Sequence, residues 1–420
     1  MLQTAFPSLK IKDKSLLPIV QGGMGVGISA HRLAGTVAGL GAMGTISSVD
    51  LRRHHPDLMA QTGKSRDKAL INRINLVALD REIRSARALS GGRGMIGVNV
   101  MRAVAEYAAY VRQACESGAD AVVVGAGLPL DLPDLAAGYP DVALIPILSD
   151  ARGIALVLKK WMRKNRLPDA IVIENPRHAA GHLGAARAED VEDPHFAFPV
   201  VLEQTQQLLR DLGLERENIP LITAGGIHMP SQAADLFAMG ASAIQLGTAF
   251  AVTEEGDAHP RFKQVLAEAR PEDIVTFMSV AGLPARAVRT FWLDNYLDRE
   301  ARLQDKAKPR ECTVGFDCLQ QCGLRDGIGK AGQFCIDARL AFALEGDVKR
   351  GLFFRGSEPL PFGSQIRPAR DLIHYILGCK PVGDHHVELP ADSGHDTDHP
   401  GRAFAPGRRD PRHAHADTPA

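Results

Sequence analysis

The chain has 420 residues, 45% hydrophobic and 23% charged, so it can bury a full-sized core, and one large barrel with an appendage fits as well as two ordinary domains. Lysine plus arginine and aspartate plus glutamate each number 49, so the formal charge is zero and bulk charge does not draw the protein to nucleic acid or anionic lipid. Apolar runs such as residues 119–127 fall far short of the roughly 20 residues of a membrane helix, and the start of the chain lacks a signal-peptide pattern, so no membrane span and a cytoplasmic location are expected.

From the first residues on, short apolar segments end in Gly, Ser, Asp or Asn and give way to stretches with helical periodicity. Eight such segments occur, at 18–24, 41–48, 94–101, 119–127, 142–150, 169–175, 219–226 and 241–250. Between them, 29–40, 104–117, 151–166 and 231–239 carry apolar residues at helical spacing. Nearly continuous apolar strands imply burial on both faces, and alternation with helices implies parallel pairing. Eight such units over about 250 residues predict a closed (β/α)8 barrel, with a doubly wound open sheet as the rival.

Three regions depart from the repeat. Residues 49–75, rich in His, Arg and Lys, interrupt units two and three and read as a helical insertion over the barrel mouth. Residues 297–379, after a barrel domain at 1–296, form a Cys-containing C-terminal appendage with a helical pattern at 335–344. From 380 to 420 the composition turns to Pro, Asp, His and Arg with almost no aliphatics, which predicts a disordered tail and makes His385, His386, His395, His399, His413 and His415 solvated rather than ligating.

Active residues of such a barrel sit after strand C-termini. The first strand ends in Gly22-Gly23-Met24-Gly25, a turn that can present backbone to a ligand ring or simply lead into a helix. The third ends in Asn99, which offers a donor and an acceptor to a heteroaromatic ring or caps a turn. After the sixth comes Glu174-Asn175-Pro176-Arg177-His178-Ala179-Ala180-Gly181-His182-Leu183-Gly184. Flanked by glycines, His182 is expected to be mobile and exposed, with an ordinary pKa near 6.5 suited to proton transfer; the bland reading is a solvent-facing loop histidine. After strands seven and eight come Thr223-Ala224-Gly225-Gly226-Ile227 and Gln245-Leu246-Gly247-Thr248. Each alone would make a tight turn, but together, in the units where barrels bind phosphate, they read as a phosphate cradle.

These segments, at 18–25, 97–99, 179–184, 224–227 and 245–248, resemble the successive motifs of the nitronate monooxygenase family and of the related FMN-dependent enoyl-acyl-carrier-protein reductases, over roughly residues 15–295. The resemblance implies FMN as cofactor. Gly225, Gly226, Gly247 and Thr248 would hold its phosphate, Gln245 would sit beside that loop, and Gly23, Met24, Asn99, Asn175 and Gly181 would line the flavin. His182 would face the substrate and serve as acid or base. The family commonly carries Glu-Ala-Gly-Gly-His where this chain has His178-Ala179-Ala180-Gly181-His182, so an alanine replaces a glycine and a histidine replaces an acid.

The expected reaction is oxidation of an alkyl nitronate or nitroalkane by O2 to a carbonyl compound and nitrite, with a homodimer as a compatible assembly. Its alternatives are an NAD(P)H-dependent reductase of enoyl thioesters or quinones, and a flavin-free isomerase of phosphorylated substrates. Cys312, Cys318, Cys322 and Cys335, spaced C-x5-C-x3-C-x12-C, could bind zinc or an iron–sulfur cluster, but without a C-x2-C pair buried free thiols are the expectation, and no metal ligand is assigned.

Overall fold

The computed structural model describes residues 2–381. Eight parallel strands close into a barrel: β1 (Ile19–Gln21), β2 (Met43–Ser47), β3 (Met95–Met101), β4 (Ala121–Gly125), β5 (Ala143–Leu148), β6 (Ile171–Glu174), β7 (Leu221–Ala224) and β8 (Ala243–Leu246). Closure comes from β8 pairing back onto β1, Ile244 beside Ile19. All eight lie inside the apolar segments read from the sequence, and the closed form replaces the open-sheet rival.

Why these residues make strands is plain in β4, where every residue is buried. Val122 and Val124 face the helical layer, whereas Ala121 and Val123 fill the barrel with Met43, Met95, Ile145, Val172 and Ile222. A hairpin of strands Leu9–Ile11 and Lys14–Leu16 plugs the N-terminal end of the barrel, with Leu9, Ile11 and Leu16 in the same interior cluster. That plug leaves the opposite, C-terminal mouth as the open end. Helix His31–Gly39 lies so close to β2 that a Cβ on Gly44 would stand 2.0 Å from the Ala34 carbonyl oxygen, so only glycine fits there.

After β2 the chain forms a short 3-10 turn, Leu51–His54, then helix Pro56–Thr62 and helix Lys68–Ser90. The Asp67 side chain accepts the Leu70 amide and starts this last helix, so residues 68–75 begin a barrel helix. It buries Ile71, Ile74, Ala78 and Ile83.

On the same helix Glu82 is fully buried, 2.8 Å from His31 Nδ1 and 3.0 Å from His55 Nε2. Burial alone would raise its pKa, but hydrogen bonds from the two imidazoles outweigh it and hold the carboxyl at about 2, while Glu82 raises His31 in return. The Glu82 contribution is present above the ordinary carboxyl value of 4.5 and is lost as pH falls through about 2; the His31 contribution is present below 6.5 and is lost as pH rises through its raised value. Replacing Glu82 with Ala removes the acceptor of the His31 ring and amide and should cost about 1.5–3 kcal/mol near pH 6, measured by urea unfolding.

Past β8, strands Ile274–Met278 and Pro284–Val288 form a hairpin, and Gly181–His182 adds to it as a third strand, with His182 opposite Ala285. The C-terminal segment packs on the barrel through bridges Val104 to Leu319 and Ala287 to Phe354 and carries helices Ile336–Leu344 and Ala369–Leu377. Its last described residues, Lys380–Pro381, pair with Leu2–Gln3. The tail expected beyond that point, with its histidines, lies outside the described residues. Among the described residues no helix is long and apolar enough to cross a membrane.

Candidate active site

One cavity of about 820 Å³ occupies the barrel's C-terminal mouth, and its walls include Gly23, Met24, Asn99, Gly181, His182, Gly225, Gly226, Gln245, Gly247 and Thr248. Five loops separated by up to about two hundred residues thus converge on one space. Asn175, expected to line the ligand, is the exception. It is buried outside the cavity wall, its Oδ1 accepts the Arg177 amide and its carbonyl accepts the amides of His178 and Ala179. Its Oδ1 closes an Asx-type turn that shapes the loop carrying His182.

The glycine loops bring free backbone donors to the cavity wall. Gly225 and Gly226 have φ of +109° and +78°, a left-handed backbone that side chains resist. Among the described residues, the amides of Gly225, Gly226 and Gly247 donate to no protein acceptor. Such donors at a cavity wall need a partner, and a phosphate oxygen is one. Thr248 Oγ1 accepts the Gly356 amide at 3.2 Å, so the C-terminal segment closes over this cradle. Packing elsewhere fits a flat ring. A Cβ on Gly23 would sit 2.3 Å from Asn99 Cβ, so absence of a side chain there is what admits Asn99, and Met24 Sδ lies 3.8 Å from where a Gly247 Cβ would be, joining the first and last loops. The residues present therefore fit FMN by phosphate donors, glycine-faced walls and an amide side chain.

His178, standing where the family has an acid, is 2.8 Å from Glu358 Oε1 and 3.2 Å from Ser357 Oγ. The carboxylate missing from this loop is supplied by the C-terminal segment, beside Gly226, where a Cβ would meet Glu358 Cγ at 3.2 Å.

His182 differs from its expectation. Strand pairing with Ala285, a hydrogen bond between Nε2 and Ser279 Oγ at 3.0 Å and the Phe354 ring 6.2 Å away fix it in place. Burial with no compensating carboxylate lowers its pKa from 6.5 to about 4, so the imidazole is neutral throughout the physiological range. The glycine flanks suggested mobility, but the hairpin that captures the loop lies about a hundred residues further on.

Other cavity residues went unassigned from the sequence. Glu174 ends β6, and burial raises its carboxyl to about 7; its place at a strand end was the available signal. Cys318, Asp337, Leu340 and Phe354 come from the C-terminal segment, whose helical and cysteine patterns gave no sign that it reaches the cavity. Asp337 is pushed up to about 7 by burial and by Asp50, while its Oδ2 pairs with Arg53 at 3.0 Å. All six cysteines are free thiols, and among the described residues no three His, Cys, Asp or Glu side chains converge as a metal site.

The family model for nitronate monooxygenase matches residues 8–374. A Mycobacterium tuberculosis protein named as a monooxygenase is 36% identical over 120 residues, 29% of this chain and 31% of the relative, so the chain aligns with under a third of that relative's length. A Bacillus subtilis protein named as a nitronate monooxygenase is 27% identical over 323 residues, 74% of this chain and 86% of the relative. Among solved structures, nitroalkane oxidase from Streptomyces ansochromogenes superposes with a TM-score of 0.58 at 20% identity, covering 86% of this chain and 94% of that one, a likeness of fold.

Proposed function

We propose, for a chain that belongs to the nitronate monooxygenase family, the FMN-dependent oxidation of alkyl nitronates by O2. The observation that carries this reading is the meeting, in one cavity, of unpartnered glycine amides and a neutral, hydrogen-bonded imidazole.

In this reading the amides of Gly225, Gly226 and Gly247 and the Thr248 hydroxyl hold the FMN phosphate. Gln245 sits beside them, and Gly23, Met24, Asn99 and Gly181 line the ring. When bound, FMN supplies electron acceptance and reactivity toward oxygen. The chain's own residues supply position and solvent exclusion. Ser279 holds His182 in one orientation, and Phe354 and the apolar wall from the C-terminal segment keep bulk water from the reacting carbon. Overall, two nitronates and one O2 become two carbonyl compounds and two nitrites, a balance that needs no net proton. A nitroalkane must first lose the proton on the carbon next to its nitro group, and His182 Nδ1 or Nε2 is the acceptor within the cavity.

The test is an absorption spectrum of the purified protein followed by anaerobic titration. Bleaching of a bound flavin by propane-2-nitronate, with indifference to NAD(P)H, is expected. Rapid bleaching by NAD(P)H instead would favour the enoyl or quinone reductase reading, and a colourless protein that refuses FMN would end both.

A further inference from the structure

The proposed substrate is an anion, yet among the described residues the cavity is lined by six carboxyl side chains, Asp150, Glu174, Asp190, Asp193, Asp337 and Glu358, and by Arg152 as the one Lys or Arg. Arg152 is 87% exposed at the rim and 3.6 Å from Asp150, so it offers no buried positive charge. A negatively charged oxygen entering this space needs a donor from another source.

Glu174 is placed to be that donor. It sits at the C-terminal end of β6, where barrel chemistry is done, beside Ala224 of β7. A Cβ on Gly184, two residues past His182, would lie 3.8 Å from Glu174 Oε2 and 2.4 Å from Ser149 Oγ, so the carboxyl adjoins the His182 loop. Like Asp190, and unlike the other four, it has no counter-ion among the described residues. Asp150 pairs with Arg152, Asp193 with His195 at 2.7 Å, Asp337 with Arg53 and Glu358 with His178, whereas the Glu174 side chain has no hydrogen bond or ion pair among the described residues. His182, in the same loop, is neutral and bonded to Ser279.

We propose that the Glu174 carboxyl, at the strand end beside the His182 loop, is the catalytic hydrogen-bond donor that receives the anionic oxygen of the substrate. This rests on the nitronate reading and names what that site recognises: a small conjugated oxyanion. Desolvation at the cavity wall, with no charged group on β5, β7 or its own loop contributing to the shift, raises the carboxyl to about 7, so its proton is on below neutrality. The donor is in place below about pH 7 and is lost above it, so anion binding weakens with rising pH even though the nitronate itself stays charged.

Nitrite, titrated into FMN-loaded protein and read through the flavin spectrum, tests this without turnover. For the natural chain the nitrite Kd should rise at least about tenfold between about pH 6 and 8.5, as expected for a donor titrating near neutrality. Glu174→Gln, which keeps an N–H donor, should bind with a pH-independent Kd close to the natural low-pH value. Glu174→Leu should bind at least about tenfold more weakly at both ends. A flat natural profile, or unchanged binding in Glu174→Leu, would overturn the assignment. If the protein takes up no flavin, the infrared band of a protonated carboxyl, present at pH 6 and missing in Glu174→Gln, reports on Glu174 by itself; its absence also overturns the proposal.

Discussion

Gly226→Ala should purify as a colourless protein. A Cβ at this position would stand 2.7 Å from His178 Cβ and 2.8 Å from its Cγ, and the φ of +78° adds roughly 1–2 kcal/mol of backbone strain for any L side chain. The loop must shift, and its amides leave the positions from which they reach an anion. Each charge-assisted bond from such an amide is worth roughly 1.5–3 kcal/mol, so misplacing two of them weakens FMN by about 10²–10⁴-fold. Fluorescence titration of FMN into the apoprotein measures the loss. Gly213→Ala is the control. Its φ is +69° with nothing within 4 Å of the added Cβ, so it carries the same kind of strain away from the cavity and should keep its flavin. Equal flavin loss in both variants would mean that the cradle has no special part in binding.

How far the molecule could be read from its residues depends on the range of the interaction concerned. Strands such as β4, buried on both faces, are legible because Ala-Val-Val-Val-Gly is a local pattern with one physical solution. Glycines at strand ends are legible for a similar reason, since a positive φ and a close approach demand them within a few residues. The state of His182 is different. Its partner Ser279 lies 97 residues away, and the strand that captures it begins at Pro284. Neither contact leaves a trace in Ala180-Gly181-His182-Leu183-Gly184, which by itself suggests a free imidazole.

The same holds for His178. In isolation it replaces an acid, while in the folded chain Glu358 restores a carboxylate at that place from 180 residues further on. Asn175 differs from its expectation for the opposite reason. Its type suits a ring or a turn equally well, and its Oδ1 takes the Arg177 amide only two residues away.

His182→Asn should separate two substrates that differ in whether a proton has still to be removed. With its pKa lowered from 6.5 to about 4, the imidazole is unprotonated at every working pH, but it is also a weaker base than an ordinary histidine. Removal of a proton from a neutral nitroalkane depends on that basicity. A preformed nitronate has already lost the proton and asks the imidazole only for orientation. The asparagine keeps a donor and an acceptor near Ser279 but cannot take a proton. Turnover of the nitroalkane should therefore fall by about 10²–10⁴ in kcat/KM, and turnover of the nitronate by less than about tenfold. The acid limb of the natural nitroalkane profile should lie near pH 4, because protonation of the base is what abolishes the step. An acid limb near 6.5 would show the imidazole to be solvated, and equal losses on both substrates would remove the base role altogether. The same depression should make the natural chain favour nitronate over nitroalkane in kcat/KM, since burial that excludes water from the cavity also weakens the base within it.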